Sequence, residues 1–542
     1  MLRAEGVQHI FGNPGTSESP FIDALGDYPD LGYILTLQEG VAVGMADGYA
    51  RATGEAAFVQ LHIDSGLANG ISLMIDSLAG NVPMVVVSGN YDTLKLAENR
   101  ANLPELVRQV TKWSVEITRA EQIPGVMRRA FNEANSDPKG PVYVSLAMNA
   151  LEEEADVEII PSGPMVTTGA PDPQALVAVA EAVSGADRAI MYLGERVARS
   201  GAIREAIRVA ELLGIPVYGA RGGEGSFPND HPQYLGLIQM RRKEHRQLLA
   251  DADAMLAVGV DLFSDLFYFG DRLMSESATV MHIDSKPGSI GRSEPTDIGL
   301  LANPKRALAA LADILENSMS ESDREAASER RRQIAIEKVD ENARLDELAK
   351  PNWDNQPISP ERLMSELAAN IPPRTMIVDD ASSYRATMYH YMMKLDPEQV
   401  VAQRNGSIGW GIGAALGVKL ANPDRPVMAV LGDGGAMMTI QALWTAANEN
   451  IPAVYVILNN GSYRILKTNM DIYKKDVLNE EEPGTNYLYM DFPTPLDHSL
   501  IAKGMGVYGE RITDPEEIGP ALERAFASDK PTLLDIVVDG SV

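Results

Sequence analysis

Short β-branched runs, each closed by a glycine turn and followed by a helical repeat of apolar positions, recur in three stretches of the chain. This rhythm predicts parallel α/β domains, whose strands are apolar on both faces and whose crossover helices carry one apolar stripe. In the first stretch AAFVQLH (56–62), PMVVVSG (83–89) and PVYVSLA (141–147) read as buried strands, with the small-residue segment 40–54 as a helix between them. The second offers AIMYLGE (189–195), AMLAVGVDL (254–262) and TVMHIDS (279–285) as strands, and a helix where Ile203, Ala206, Ile207, Ala210 and Leu213 share one face. The third offers TMIVDD (375–380), PVMAVLGDG (426–434) and PAVYVILNN (452–460). Residues 151–174, acidic and then rich in Pro, Gly and Thr, read as a linker, and 320–350, densely charged, as a solvated helical connector. The expected fold is therefore α/β, three consecutive parallel-sheet domains over 1–155, 175–320 and 355–542.

Length agrees with that division, since 542 residues exceed what one core serves. A net charge of −29 argues against a nucleic-acid partner, because the surface as a whole repels phosphate. No apolar run reaches the roughly 18–20 residues that span a bilayer, so no membrane partner is expected. With no cysteine and no signal-like start, disulfides and thiolate metal sites are excluded and a cytoplasmic location is expected.

The densest chemistry lies in VLGDGGAMMTIQALWTAANENIPAVYVILNNGSY, residues 430–463. A strand ends in Gly432-Asp433-Gly434, a helix follows, and the next strand ends in Asn459-Asn460. In a parallel sheet both ends lie on the C-terminal edge, so the Asp433 carboxylate and the Asn460 amide can converge. With the main-chain carbonyl of Ser462 they make a set of hard oxygen ligands suited to Mg²⁺. Gly434 and Gly435 leave the backbone open to a diphosphate at a helix start. The pattern resembles the diphosphate-binding motif of the thiamine diphosphate enzymes. A nicotinamide site at Gly409-Trp410-Gly411-Ile412-Gly413 is discounted, since the third glycine and a clear preceding strand are missing.

Thiamine chemistry also needs a carboxylate on the pyrimidine ring, so that its imino form can take the C2 proton. Glu39 is the candidate, between an apolar strand and a small-residue helix with no base nearby. Partial burial there would keep a proton available to the ring. Taken alone, the same residue reads as an ordinary helix N-terminal acid. FGNPGTSESPF (11–21), LQEGVAVGMADGYAR (37–51), LHIDSGLANG (61–70), HIDSKPGSIGR (282–292) and the 430–463 motif together resemble benzoylformate decarboxylase and its acetolactate synthase-like relatives, over nearly the whole chain.

That resemblance implies a first domain that holds the pyrimidine, a third that holds the diphosphate and a structural middle one. It implies sites shared between subunits, hence an obligate homodimer, usually assembled as a homotetramer. By motif it assigns Ser382 and Ser383 to the diphosphate, the Gly406 carbonyl to the ring amine and Ile408 to the apolar wedge that bends the cofactor. It also assigns Thr16 and His62 to the substrate side. Ile408 taken alone is a plain core residue, and His62 a polar group at a strand end. The chain begins just before its first strand, about a helix later than such relatives. It departs from the aryl-specific pattern too. DLFSDLFYFGDRL (261–273) lacks the middle-domain histidine, and Arg464 and Lys467 replace less polar residues, either to meet an anionic substrate group or as solvated helix residues. The expected function is decarboxylation of a small 2-oxo acid through a thiamine-bound enamine. Two alternatives stay open: a carboligase that passes the enamine to a second carbonyl compound, and a non-catalytic cofactor-binding relative.

Overall fold

The computed structural model describes residues 1–542 except 96–99, 164–168, 221–224, 271, 393–395, 482–483 and 485. Three six-stranded sheets follow one another along the chain, and every strand pair in them is parallel. The first holds β1 (His9–Gly12), β2 (Gly32–Leu35), β3 (Ala57–Leu61), β4 (Met84–Asn90), β5 (Trp113–Ile117) and β6 (Pro141–Ala147) in the order β2-β1-β3-β4-β6-β5. The second holds β7 (Ala189–Leu193), β8 (Val217–Gly219), β9 (Tyr234–Leu237), β10 (Ala254–Val258), β11 (Thr279–Asp284) and β12 (Ile298–Leu301), in the order β12-β11-β10-β7-β8-β9. The third holds β13 (Met376–Asp380), β14 (Val400–Ala402), β15 (Val427–Gly432), β16 (Val454–Asn459), β17 (Tyr508–Ile512) and β18 (Thr532–Val537), in the order β14-β13-β15-β16-β18-β17. The first and third sheets thus share one topology and the middle one differs.

The continuously apolar runs became central strands, buried along nearly their whole length as both-face burial requires. The charged stretch 320–350 is one helix, Glu321–Ala349, opened by a Ser320–Asp323 capping box. Lys338 and Arg330 pin it to the middle domain by donating to the Asn229 and Leu213 carbonyls.

One helix pair joins the outer domains. Glu39–Thr53 lies against Trp410–Ala421, and their apolar residues share one core. Small residues allow the approach: a Cβ on Gly48 would sit 2.2 Å from the Ala414 carbonyl oxygen, and one on Gly417 1.9 Å from that of Met45. Any side chain there forces the helices apart. This packing accounts for Gly413 and Gly417, while Gly411 is pressed against Asp380 and Leu431 of its own domain. A buried polar knot fixes the register, with Trp410 Nε1 donating to Asp47 at 2.7 Å and Arg51 bonded to Asp47 and Asp76. No helix among the described residues is long and apolar enough to cross a membrane.

Candidate active site

Three neighbouring strands, β13, β15 and β16, end together on the C-terminal edge of the third sheet, where an open parallel sheet presents its ligand crevice. β15 runs into Asp433, whose carboxylate is 2% exposed. Its Oδ1 accepts from the Gly434 N–H and its Oδ2 from the Gly461 N–H, both at 2.7 Å. Gly461 lies in the loop after β16, so one carboxylate ties the two strand ends together. Burial pushes the Asp433 carboxyl up, and no Lys or Arg ion pair offsets this among the described residues. His498, fully buried, donates from Nε2 to the Asp433 main-chain carbonyl at 3.1 Å.

Asn460 stands beside this pair, with its Oδ1 accepting from the Ser462 N–H and hydroxyl at 3.0 and 3.1 Å. Its Nδ2 donates to the Tyr384 hydroxyl, which itself donates to the Asp539 carbonyl at 2.6 Å. Tyr384 adjoins Ser382 and Ser383, both half-buried, and Ser382 turns the chain with φ +24°. Asp433, Asn460, Ser462, Ser382 and Ser383 therefore belong to one cluster.

The helix expected after Gly432 is broken. A single turn, Asp433–Ala436, precedes a bend and then Ala442–Asn448. Within the bend the Thr439 hydroxyl donates to the Gly409 carbonyl and draws the segment toward the 405–409 loop. Gly434 must be glycine, since a Cβ would come within 2.5 Å of the Tyr463 ring. Gly435 is open and faces Ile408 across 3.8 Å from its would-be Cβ. Gly406 has φ +78° and its carbonyl accepts from the Ile408 N–H at 2.9 Å. Ile408 is 36% exposed, so it stands at the rim of the crevice and not in the core.

A second cluster belongs wholly to the first domain. Glu39 opens the Glu39–Thr53 helix, 7% exposed, and its two oxygens accept from the Asn13 and Asn69 side-chain amides at 3.1 and 3.0 Å. Asn13 begins the turn that continues through Gly15 to the exposed Thr16. His62 packs against Gly15 so closely that a Cβ there would overlap its ring. His62 Nδ1 lies 3.0 Å from Glu18 Oε2. A carboxylate only accepts, so Nδ1 carries a hydrogen and Nε2 is left for another partner.

Glu18 is the residue that sequence reasoning missed. It is 1% exposed and also accepts from the Gly15 and Gly89 N–H groups and the Ser17 hydroxyl. Its one signal is an acid three residues after a turn glycine. Arg464 donates to the Ser541 carbonyl at 2.7 Å and stands over the Tyr384 ring, and Lys467, its side chain 12% exposed, pairs with Asp491. In the 261–273 segment Asp271 lies outside the described residues. Arg241 pairs with Asp265 there, and Phe267 stacks on Tyr473 at 6.4 Å, so this loop leans on the third domain.

Comparison with known proteins places this geometry. Models of the thiamine pyrophosphate enzymes match three segments: the N-terminal TPP binding domain over residues 1–111, the central domain over 176–311 and the C-terminal TPP binding domain over 380–536. A probable acetolactate synthase large subunit of Methanocaldococcus jannaschii is 31% identical, covering 99% of this chain and 90% of its own. Benzoylformate decarboxylase of Pseudomonas aeruginosa is 30% identical, covering 99% and 97%. A thiamine diphosphate-dependent 4-hydroxybenzoylformate decarboxylase of Rhodococcus jostii superposes with a TM-score of 0.84 at 27% identity, covering 99% and 97%. The chain belongs to the thiamine pyrophosphate enzyme family, and it is a thiamine diphosphate-dependent enzyme of the decarboxylase and acetolactate synthase type.

The residues present fit such a cofactor. A buried carboxylate satisfied only by backbone N–H groups, its proton affinity raised, suits a divalent cation and through it a diphosphate. Among the described residues no group of three His, Cys, Asp or Glu could hold a metal, and the expected ligand set contains only one such side chain.

Proposed function

We propose that this protein is a Mg²⁺-dependent decarboxylase of a small 2-oxo acid. Thiamine diphosphate supplies a C2 nucleophile and an electron sink for the charge left when carbon dioxide departs. Asp433, with Asn460 and the Ser462 carbonyl, would hold Mg²⁺. Ser382, Ser383 and the Gly432–Gly435 backbone would receive the diphosphate, and the Gly406 carbonyl and Ile408 would set the ring. Glu39, aimed by two side-chain amides, would hydrogen-bond the pyrimidine ring.

The observation that carries the lyase reading is the Glu18–His62 pair. A decarboxylase must return a proton to the product carbon, and an imidazole fixed at Nδ1 leaves Nε2, on a ring 31% exposed, to exchange one. Thr16, on the same turn, would contact the substrate. The carboligase reading is favoured by a different observation, the lack of any second histidine in 261–273. We further propose that the protein works as a homodimer or tetramer in the cytoplasm, its sites shared between subunits. The test is a panel of 2-oxo acids with thiamine diphosphate and Mg²⁺, following carbon dioxide and product. An aldehyde supports decarboxylation, a 2-hydroxyketone or 2-hydroxy-2-methyl-3-oxo acid supports ligation, and no carbon dioxide from any acid overturns both.

A further inference from the structure

The strand order of the middle sheet reverses between β7 and β10, and at such a switch point the strands' carboxyl ends open a crevice that in other folds of this kind takes a ligand. Here the crevice is narrow. A Cβ on Gly194 would lie 2.3 Å from the Gly259 carbonyl oxygen. Its floor is charged: Glu195 follows β7, Asp261 follows β10 and Asp284 ends β11. Arg196 bonds Asp284 through Nε and Nη2 at 2.8 Å and Glu195 through Nη1 at 2.8 Å. Lys286 reaches Asp261 at 3.7 Å. Three carboxylates facing two cations leave one negative charge.

A third cation enters from another domain. Arg404, its side chain 9% exposed, donates from Nη2 to Asp261 at 3.1 Å and brings Nε to 3.7 Å from Glu195. Glu195 is the largest influence holding its proton, and Asp261 is held well below the usual carboxylate range by Arg196, Lys286 and Arg404 against its burial. The same residue is gripped from the other side. Asp76 of the first domain accepts from the backbone N–H of Arg404 and of Asn405, at 3.1 and 2.6 Å. Arg404 immediately precedes the loop carrying Gly406 and Ile408.

We propose that the middle domain's crevice is an arginine socket, in which Glu195 and Asp261 take the Arg404 side chain in place of a nucleotide and thereby position the Asn405–Gly409 loop for the thiamine ring. The middle domain, expected only to support the others, then tunes the cofactor site directly. The inference rests on the reading of this loop as the ring's seat, and Arg404 is a positioning residue that touches no reacting atom.

Its test needs no substrate. Thiamine diphosphate retention with Mg²⁺ is measured by equilibrium dialysis, and hydrogen exchange is followed at the backbone amides of Arg404 and Asn405. In Asp261→Asn and Glu195→Gln, retention should weaken about ten-fold and both amides should lose protection by a similar factor, with amides in β7 and β10 unchanged. Arg404→Met should match them, the Arg404→Met/Asp261→Asn double variant should be no worse than Arg404→Met alone, and Arg404→Lys should recover part of the loss. If the two acid variants keep wild-type retention and protection while Arg404→Met loses both, Arg404 acts within its own loop and the socket is wrong. Micromolar binding of FAD or ADP to the wild-type protein, read by flavin fluorescence or calorimetry, overturns it as well. Because retention and exchange are read without turnover, failure of the decarboxylase reading would leave these outcomes unaffected.

Discussion

The two halves of the candidate site handle buried negative charge in opposite ways. In the first domain, Glu39 accepts from the side-chain amides of Asn13 and Asn69, and Glu18 from Ser17 and His62 side chains as well as from the Gly15 and Gly89 N–H groups. In the third, the hydrogen-bond donors to Asp433 among the described residues are backbone N–H groups, those of Gly434 and Gly461 at 2.7 Å, and burial raises its proton affinity. A carboxylate satisfied by neighbouring side chains is aimed, its position fixed by the groups that donate to it. One left short of positive charge is poised for a cation the chain does not supply. On this view the first half-site is built for proton transfer and the third for anchoring, and variants should separate the two.

The largest effect is expected at Glu39. Glu39→Gln keeps the size of the side chain but replaces one of the two oxygens that accept from Asn13 and Asn69 by a donor and removes the acid, so it should retain cofactor while exchanging the C2 proton about 10³-fold more slowly. Proton exchange at C2 followed by NMR reads this, and an unchanged rate removes Glu39 from activation. Asp433→Ala should do the reverse and weaken Mg²⁺-dependent retention by about 100-fold, with the fold intact. Mixing the two inactive proteins sharpens the contrast further. If subunits share sites, hybrids own one intact pair, and random exchange should return roughly a quarter of full activity by the counting of isologous dimers. Purified hybrids no better than either parent would put both half-sites in one chain.

Glu18 tests whether the first half-site depends on its buried acceptor. Glu18→Ala strands the Gly15 and Gly89 N–H groups in a buried pocket and frees His62, a loss of about 3 kcal/mol in stability. Urea unfolding measures it. A loss below about 1 kcal/mol would show that water replaces the carboxylate there and that His62 is held by other means.

The same contrast explains what could be read from the chain. The third half-site was legible because its groups fall within one 34-residue strand–turn–strand segment, whose spacing forces convergence on a single sheet edge. Glu39 was legible only through its flanking context. Glu18 was not, because its partners at Gly89 and His62 lie far along the chain and no local period marks them. Arg404 was hidden for the same reason, its acceptors sitting in two other domains. Central strands stood out as continuous apolar runs. Edge strands such as Tyr234–Leu237 and Tyr508–Ile512 did not, being short or only partly buried. The single helix expected after Gly432 is broken because Thr439 is recruited to Gly409, a tertiary bond that propensity does not encode.

The smallest expected effect concerns Asp380, the last residue of β13, beside Ser382 and Ser383. Burial pushes its carboxyl up to about 7 from an ordinary 3.8, the Gly411 N–H and Arg385 offsetting only part. Gly411 donates to its Oδ2 at 3.1 Å, while Oδ1 has no hydrogen-bond partner among the described residues. Between pH 3.8 and 7 the folded protein keeps this proton and the unfolded chain gives it up. Folding therefore binds protons, and stability falls as pH rises through that window, levelling off above about 7. Below pH 3.8 both states are protonated and Asp380 contributes nothing. Asp380→Asn can still accept from Gly411 but buries an unpaired amide hydrogen, a cost of about 1 kcal/mol that does not vary with pH. Relative to wild type the variant should be slightly less stable at pH 4 and more stable at pH 8. Urea midpoints on cofactor-free protein at the two values give the slope. A difference that stays constant from pH 4 to 8 would mean that Arg385 keeps Asp380 ionised throughout, and the third half-site would then carry one uncompensated carboxylate instead of two.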